Sequence, residues 1–218
     1  MKKLIIAIDG PSGAGKGTIS RALAETLGYR HIDTGAMYRA VGWKAHHDGI
    51  PLDDEDAVGA LAWQAEIRLE GGIVAIDGHD VTRAIRTPDV DKIASRVARL
   101  PQVRQALVSR QRALGADGGI VMEGRDIGTV VFPNADVKIF LDASAEERAR
   151  RRAHDISHAG NQSGQAAVAA AIQARDLSDT TRTTSPLALA PGAVHIDTTG
   201  IPISEVVEKV LALVRARL

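Results

Sequence analysis

The run Gly10-Pro11-Ser12-Gly13-Ala14-Gly15-Lys16-Gly17-Thr18 combines closely spaced glycines with a lysine. Glycines let the backbone wrap a phosphate so that successive N–H groups converge on its oxygens, and a lysine placed here reaches the outer phosphates of a nucleoside triphosphate. Such a loop works between a buried strand and a helix whose amino end adds partial positive charge. Both flanks have that character: Leu4 to Ile8 is an unbroken apolar run ended by Asp9, and Ile19, Leu23 and Leu27 recur at helical spacing behind the loop. In the general form of the loop a Ser or Thr directly follows the lysine and holds Mg²⁺. Here Gly17 takes that place and Thr18 comes next, which leaves open whether the ion touches protein directly or through water.

Arginine is the other side chain suited to this chemistry, because its planar fork binds phosphate oxygens in pairs and stays charged. Arg39 ends the segment Asp33-Thr34-Gly35-Ala36-Met37-Tyr38-Arg39, and Arg125-Asp126 follows the apolar run Ile120 to Met122. A charged pair just after a buried parallel strand lies where such sheets bind ligands. Arg175, Asp179 and Arg182 are spaced by four and three, so one helix face can present all of them. An acceptor that is itself a phosphate needs no strong general base, and catalysis reduces to positioning and charge stabilisation; an alcohol acceptor calls for a carboxylate base.

Other features read as structural. Arg148 and Arg150 fit a solvated helix face shared with Glu146 and Glu147, leaving one or two of this arginine run, such as Arg152, for a nucleotide. His154 and His158 are four apart but lack the accompanying Glu of a metal motif, and His46, His47 and His79 read as surface residues. Trp43 and Trp63 read as packing residues of an insert. Asp197-Thr198-Thr199-Gly200 looks like a nucleotide-switch motif by accident, because the matching base-reading motif is missing.

Elements that position these groups can be read from periodicity. Val137 to Leu141 and Ala193 to Ile196 join the two earlier runs as short buried strands, each followed by helix-starting sequence. Ser144 and Glu147 have capping-box spacing, and the last helix carries Ile203, Val206, Val207, Val210, Leu211 and Val214 at amphipathic intervals. Strands alternating with helices indicate a parallel α/β sheet. The stretch Glu66 to Asp80 instead alternates about Gly71-Gly72, a hairpin signal within an excursion from Thr34 to about Arg112. The polar Gly/Ser-rich segment from His154 to Gln165 suggests a mobile surface element. A length of 218 residues suits one domain with an insertion, and a net charge of +0 gives no general attraction to nucleic acid or membrane. With 0 cysteines, disulfide and thiolate chemistry are excluded, and a soluble cytoplasmic protein, without sign of a dimer, is expected.

The motifs GPSGAGKGT, DTGAMYR, IASRVARLPQVRQALVSRQR, EGRDIGTVVFP, KIFLDAS and RDxxDxxRxxSPL follow in order over nearly the whole chain. In this it resembles the bacterial cytidylate kinases, nucleoside monophosphate kinases that also share the Gly-Lys-Gly-Thr ending. The resemblance implies a three-layer P-loop NTPase fold with a parallel sheet, an antiparallel substrate-binding insert over about 34–112 and a short lid over about 152–172. It implies a monomer that moves the γ-phosphoryl of ATP, with Mg²⁺, onto CMP or dCMP in pyrimidine metabolism. By the same resemblance residues 10–18 bind ATP. Arg39, Arg125 and Arg182 grip the acceptor phosphate, while Lys16 and a lid arginine such as Arg152 stabilise the transferring group. Ser95, Arg104 and Asp126 would read cytosine, and Thr34, Arg175 and Asp179 the sugar. Asp33, Tyr38 and Gly124, in the same motifs, complete the implied CMP site. The matching chemistry is that cytosine offers an amine to a carboxylate or hydroxyl and acceptors to an arginine. No protein side chain is implied as a direct metal ligand. Kinases of UMP, AMP or a shikimate-like alcohol, and a nucleotide-dependent switch, are the alternative readings.

Overall fold

The computed structural model describes residues 3–154 and 165–217. They form two compact units, Thr34–Gln111 and the described residues on either side of it.

The flanking unit contains β1 (Ile5–Asp9), α1 (Lys16–Leu27) and β2 (Arg30–Asp33), then, after the inserted unit, β6 (Ile120–Gly124), β7 (Val137–Asp142), α6 (Ala145–Ala153), α7 (Gln165–Thr181), β8 (Val194–Asp197) and α8 (Ile203–Arg215). Its sheet has 5 strands in the order β2-β6-β1-β7-β8, with every neighbouring pair parallel. The central place of β1 explains its composition: Ile6, Ala7 and Ile8 are fully buried, as expected of a parallel strand covered on both faces. One face is closed by α1 and α8, whose Ile19, Leu23, Val206, Val210, Leu211 and Val214 pack on Ile6, Ile8, Ile139 and Leu141. Ile203, expected on the same stripe, is 53% exposed. It is the first residue of α8, ahead of the turn that reaches the sheet.

Register aligns the carboxyl ends of the strands. Asp9 lies opposite Gly124, Asp33 opposite Glu123, and Asp142 opposite Asp197. The phosphate loop, the segment after Gly124 and the turn after Asp197 therefore leave the same edge of the sheet, where open α/β sheets bind ligands.

Unit Thr34–Gln111 holds α2 (Thr34–His47), α3 (Glu55–Gln64), β3 (Ile67–Glu70), β4 (Ile73–Ile76), β5 (His79–Asp80), α4 (Pro88–Val97) and the start of α5 (Pro101–Gly115). The expected hairpin pairs Glu70 with Ile73 around Gly71 and Gly72, and β5 adds a third antiparallel strand that periodicity did not separate from β4. Trp43 stacks on His47 with ring centroids 4.7 Å apart and lies 5.8 Å from His79, so these residues share one ring cluster. Trp63 is not a packing residue: it is 50% exposed. Its position near the end of α3 leaves its ring beyond the buried residues of that helix, Val58, Gly59 and Ala62. Among the described residues, no helix is long and apolar enough to cross a membrane.

Candidate active site

Gly10, Gly13 and Gly15 adopt φ values of 146°, 80° and 87°, which fold the loop back before α1 begins at Lys16. Gly15 caps the helix and has no side chain to occupy its first N–H groups, which suits them to an anion. Lys16 is buried, and its Nζ donates to the Pro11 carbonyl at 2.6 Å, across the loop. Burial first, then the charges of Arg125 and Arg175, push this ammonium well below its usual range, against the pull of Glu123 and Asp9. A bound polyphosphate supplies the negative charge that would restore it. Thr18, one residue beyond the usual hydroxyl position, is exposed on α1. Gly17 instead faces a carboxylate: a Cβ built there would lie 3.4 Å from Glu123 Oε1. Glu123, near the end of β6, is itself held by His31 of β2, whose Nε2 is 2.9 Å from the same oxygen.

Asp9, treated in the sequence only as the end of a strand, organises the next segment. Its Oδ1 accepts from Ile127 N at 2.8 Å and its Oδ2 from Gly128 N at 2.7 Å. These amides open a short π-helix, Ile127–Val131, directly after Arg125-Asp126. Burial pushes the Asp9 carboxyl up from 3.8 to about 6, although the Gly128 and Ile127 amides pull the other way. The native state thus holds this proton more tightly than the unfolded chain, so its contribution to stability falls as pH rises from 3.8 towards about 6. The gap corresponds to roughly 3 kcal/mol. An Asp9→Asn variant has no such titration. Its unfolding free energy relative to the parent should shift in the variant's favour by about 2–3 kcal/mol between about pH 4 and pH 7. Denaturant titrations at the two pH values measure this; an unchanged difference would refute a buried, titrating Asp9.

Arg125, Asp126, Arg175, Asp179 and Arg182 come together within this unit. Arg125 Nε donates to Asp179 Oδ2 at 2.8 Å. Arg182 lies 3.7 Å from Asp126 Oδ1 and 3.9 Å from Asp179 Oδ1, and its Nε donates to the Ser185 carbonyl at 2.6 Å. Arg175 reaches the group electrostatically, through Asp179 and Lys16. Burial works against the Asp179 carboxylate, but Arg125, Arg175 and Arg182 outweigh it and hold the group below its usual range. In the same way burial opposes charge on Arg125, and Asp179, then Asp176 and Glu123, more than compensate. The one-face spacing on α7 accounts for Arg175 and Asp179; Arg182 lies just past its end, turned back by Ser185 at φ 53°.

The arginine run on α6 divides differently from its helical pattern. Arg150 is exposed and pairs with Glu147, as expected. Arg148 is not on a solvated face. Its side chain is 11% exposed, donates to the Ala143 carbonyl at 3.0 Å and the Ser12 carbonyl at 3.2 Å, and pairs with Asp176 of α7. Periodicity could not show that the phosphate loop and α7 cover that side of α6. Arg151 donates through Nη1 to Thr198 Oγ1 at 2.8 Å and through Nη2 to the Thr198 carbonyl at 2.7 Å. The turn after β8 is therefore a packing element, with Thr198 fully buried against Asp142 and the loop. Arg152 is half-buried. Val168 and Ile172 of the alanine-rich start of α7 pack on Ala149 of α6. Of the expected lid, residues 155–164 lie outside the described residues, as does His158; His154 is exposed.

Within the unit Thr34–Gln111, Thr34, Tyr38 and Arg39 are buried on α2, and Arg104 on α5. The Arg104 guanidinium stands over the Tyr38 ring, 5.5 Å from its centroid, and donates to the Ala98 carbonyl at 3.2 Å. Arg39 faces Asp91 of α4 at 4.0 Å, and Ser95 donates to the Asp91 carbonyl at 3.1 Å. Asp91 is thus a member of this cluster that sequence reasoning missed; an acidic residue one helical turn before Ser95 was the available signal. Asp33 ends β2 and is partly exposed.

A family model described as cytidylate kinase matches residues 6–216. The chain is 50% identical over 218 residues to a cytidylate kinase of Solibacter usitatus (strain Ellin6076), covering 99% of this chain and 94% of that one. It is 48% identical over 221 residues to a cytidylate kinase of Geobacillus kaustophilus (strain HTA426), covering 100% and 99%. A gluconokinase from Sinorhizobium meliloti 1021 has a similar structure, with a TM-score of 0.53 and 18% identity over 99% of this chain and 94% of that one. A sugar kinase from Janibacter sp. HTCC2649 gives 0.51 and 16% over 98% and 95%. These structures share the fold, while the long matches at about half identity carry the family assignment. With its phosphate loop set before α1 and its arginines gathered on Asp179, the chain belongs to the cytidylate kinase family.

Proposed function

We propose that this protein transfers the γ-phosphoryl of ATP to CMP or dCMP. The observation that carries the reading is the set of arginines on Asp179, beside a phosphate loop whose lysine is already electrostatically coupled to two of them. Nearby carboxylates are engaged, Asp179 by Arg125, Asp126 by Arg182 and Asp9 by backbone amides, so the site is built to hold anions rather than to deprotonate an alcohol. Residues 10–18 wrap the triphosphate, with backbone N–H groups of residues other than Pro11 as donors, and Lys16 takes its outer phosphates. Arg125 and Arg182, with Arg39 from the substrate unit, neutralise the acceptor phosphate. One acceptor oxygen then bonds to the γ-phosphorus as the bond to the β–γ bridging oxygen breaks, and ADP leaves. Arg152 adds charge to the transferring group.

Arg104 and Ser95 offer cytosine a guanidinium and a hydroxyl, and Asp126 offers its amine a carboxylate; Thr34, Arg175 and Asp179 take the sugar. Asp33, Tyr38 and Gly124 complete the nucleoside site. Mg²⁺ accompanies ATP, and the first turn of α1 fits it. Gly17, with no side chain of its own, faces the Glu123 carboxylate, a hard oxygen donor of the kind this ion prefers. Among the described residues no group of three or more His, Cys, Asp or Glu could hold a metal. Mg²⁺ at nucleotide sites is generally bound by the phosphates and water with one or two carboxylates beside it. Glu123, steadied by His31, would hold it, and the ion supplies charge neutralisation at the β and γ oxygens. The proposed enzyme works as a monomer in the cytoplasm, a reading its neutral, cysteine-free sequence supports.

In a coupled assay with ATP and Mg²⁺, CMP and dCMP should be converted roughly 100-fold or more faster than UMP, because uracil lacks the amine and leaves a buried acceptor unpaired, and faster than AMP or GMP, whose purine rings present their donors and acceptors in a different pattern. Equal rates with AMP, or none with CMP, would overturn the assignment.

A further inference from the structure

Asp176 follows Arg175 on α7 and has no role in the chemistry described so far. Three observations meet on it. Its Oδ2 pairs with Arg148, the same guanidinium that holds the Ser12 carbonyl at 3.2 Å and the Ala143 carbonyl at 3.0 Å. The phosphate loop rests directly on that residue, because a Cβ built on Gly13 would lie 2.8 Å from the Arg148 carbonyl oxygen. Asp176 is also one helical turn before Asp179, whose carboxylate holds Arg125 at 2.8 Å, and its negative charge acts on Arg125 as well. The carboxylate thus ties the cation that braces the donor loop to the helical turn whose next carboxylate, Asp179, holds the cation assigned to the acceptor phosphate. Its other oxygen, Oδ1, is buried and makes no hydrogen bond among the described residues, so its recorded pairing is with Arg148.

We infer that Asp176 is a positioning residue that fixes Arg125 relative to the phosphate loop through Arg148. Buried ion pairs hold a geometry well when each partner is oriented by further hydrogen bonds, as Arg148 is by its two carbonyls. Without the Asp176 carboxylate, Arg148 can still touch Ser12, but α7 and the loop lose their charged link, and the turn of α7 that carries Asp179 and its partner Arg125 is no longer held against the loop. Transfer suffers while the triphosphate contacts remain. The inference rests on the kinase reading above.

The test is a double-mutant cycle on the full chain, read as kcat and KM with CMP and ATP. Asp176→Asn keeps the shape and an acceptor oxygen but removes the charge. It should lower kcat about tenfold, with KM for ATP within about twofold. Asp176→Glu, which restores the charge, should recover most of the loss. In an Arg125→Lys background, where the fork is already gone, Asp176→Asn should change kcat less than about twofold, because two residues acting as one unit are not additive. An unchanged kcat in Asp176→Asn, or an equal loss in both backgrounds, overturns the inference while leaving the kinase reading intact. A parent protein inactive on CMP overturns both. A merely structural Asp176 would lower the melting temperature and cost activity equally in the two backgrounds, which the cycle separates.

Discussion

Arg125→Ala is expected to reduce phosphoryl transfer to CMP on the order of 10³-fold, the scale at which a transition-state arginine acts. Arg125 carries a planar fork into a group where Asp179, Asp126 and Asp176 already balance the cations, and incoming phosphate oxygens replace carboxylate oxygens as its partners. Removing one member of a buried pair usually destabilises by about 3–5 kcal/mol, because the other charge is stranded. Asp179 is not stranded here, since Arg182 lies 3.9 Å away and Arg175 also acts on it. The loss should therefore be nearer about 1–2 kcal/mol, or a fall of several degrees in melting temperature. Steady-state rates and a thermal melt on the same preparation decide the matter. A collapse of the fold that accounts for the lost activity would make Arg125 a structural residue and remove the main support for the acceptor site.

Lys16→Met should separate catalysis from stability even more sharply. Turnover should fall about 10²- to 10³-fold, the usual consequence of deleting one electrostatic donor aimed at developing charge. In the free protein, however, this ammonium is buried close to Arg125 and Arg175, an arrangement that disfavours its charge. Methionine fills a similar volume without that conflict, and replacing a buried charge by a well-packed apolar group is often neutral or stabilising. The lost bond to the Pro11 carbonyl offsets part of the gain by about 1 kcal/mol. The melting temperature of the unliganded variant should equal or exceed that of the parent, and stabilisation by ATP should shrink. A less stable variant that keeps its turnover would show that Lys16 serves the loop's shape and not the phosphates.

Both results depend on how a buried charge is balanced inside the protein. Burial and the neighbouring arginines disfavour the charge of Lys16, a conflict a polyphosphate would relieve, whereas the carboxylates around Arg125 already stabilise its charge. Stability and function are thus opposed at Lys16, while burial also raises the Asp9 carboxyl. This is the pattern expected of a binding site before its ligand.

What the amino-acid sequence determined by itself was local. The glycine loop between an apolar run and a helix, the hairpin about Gly71 and Gly72, and the i, i+4 relation of Arg175 and Asp179 follow from backbone freedom and side-chain period, which act over a few residues. Six motifs in order along the chain were enough to identify the family to which the long relatives belong. Tertiary structure decided which charges face each other. Arg148 and Arg150 look alike on α6, yet one is buried against Ser12, 136 residues away, and the other lies in water. Asp9 caps amides 118 and 119 residues further on, Glu123 lies against Gly17, and Asp176 pairs with Arg148 of another helix, 28 residues away. Trp63 fails as a packing residue for the same reason, since an aromatic ring is buried only where some distant element covers it. Chain period reports the direction of a side chain from its own element; the role of a charge is set by what lies opposite, and only the folded sheet edge supplies that.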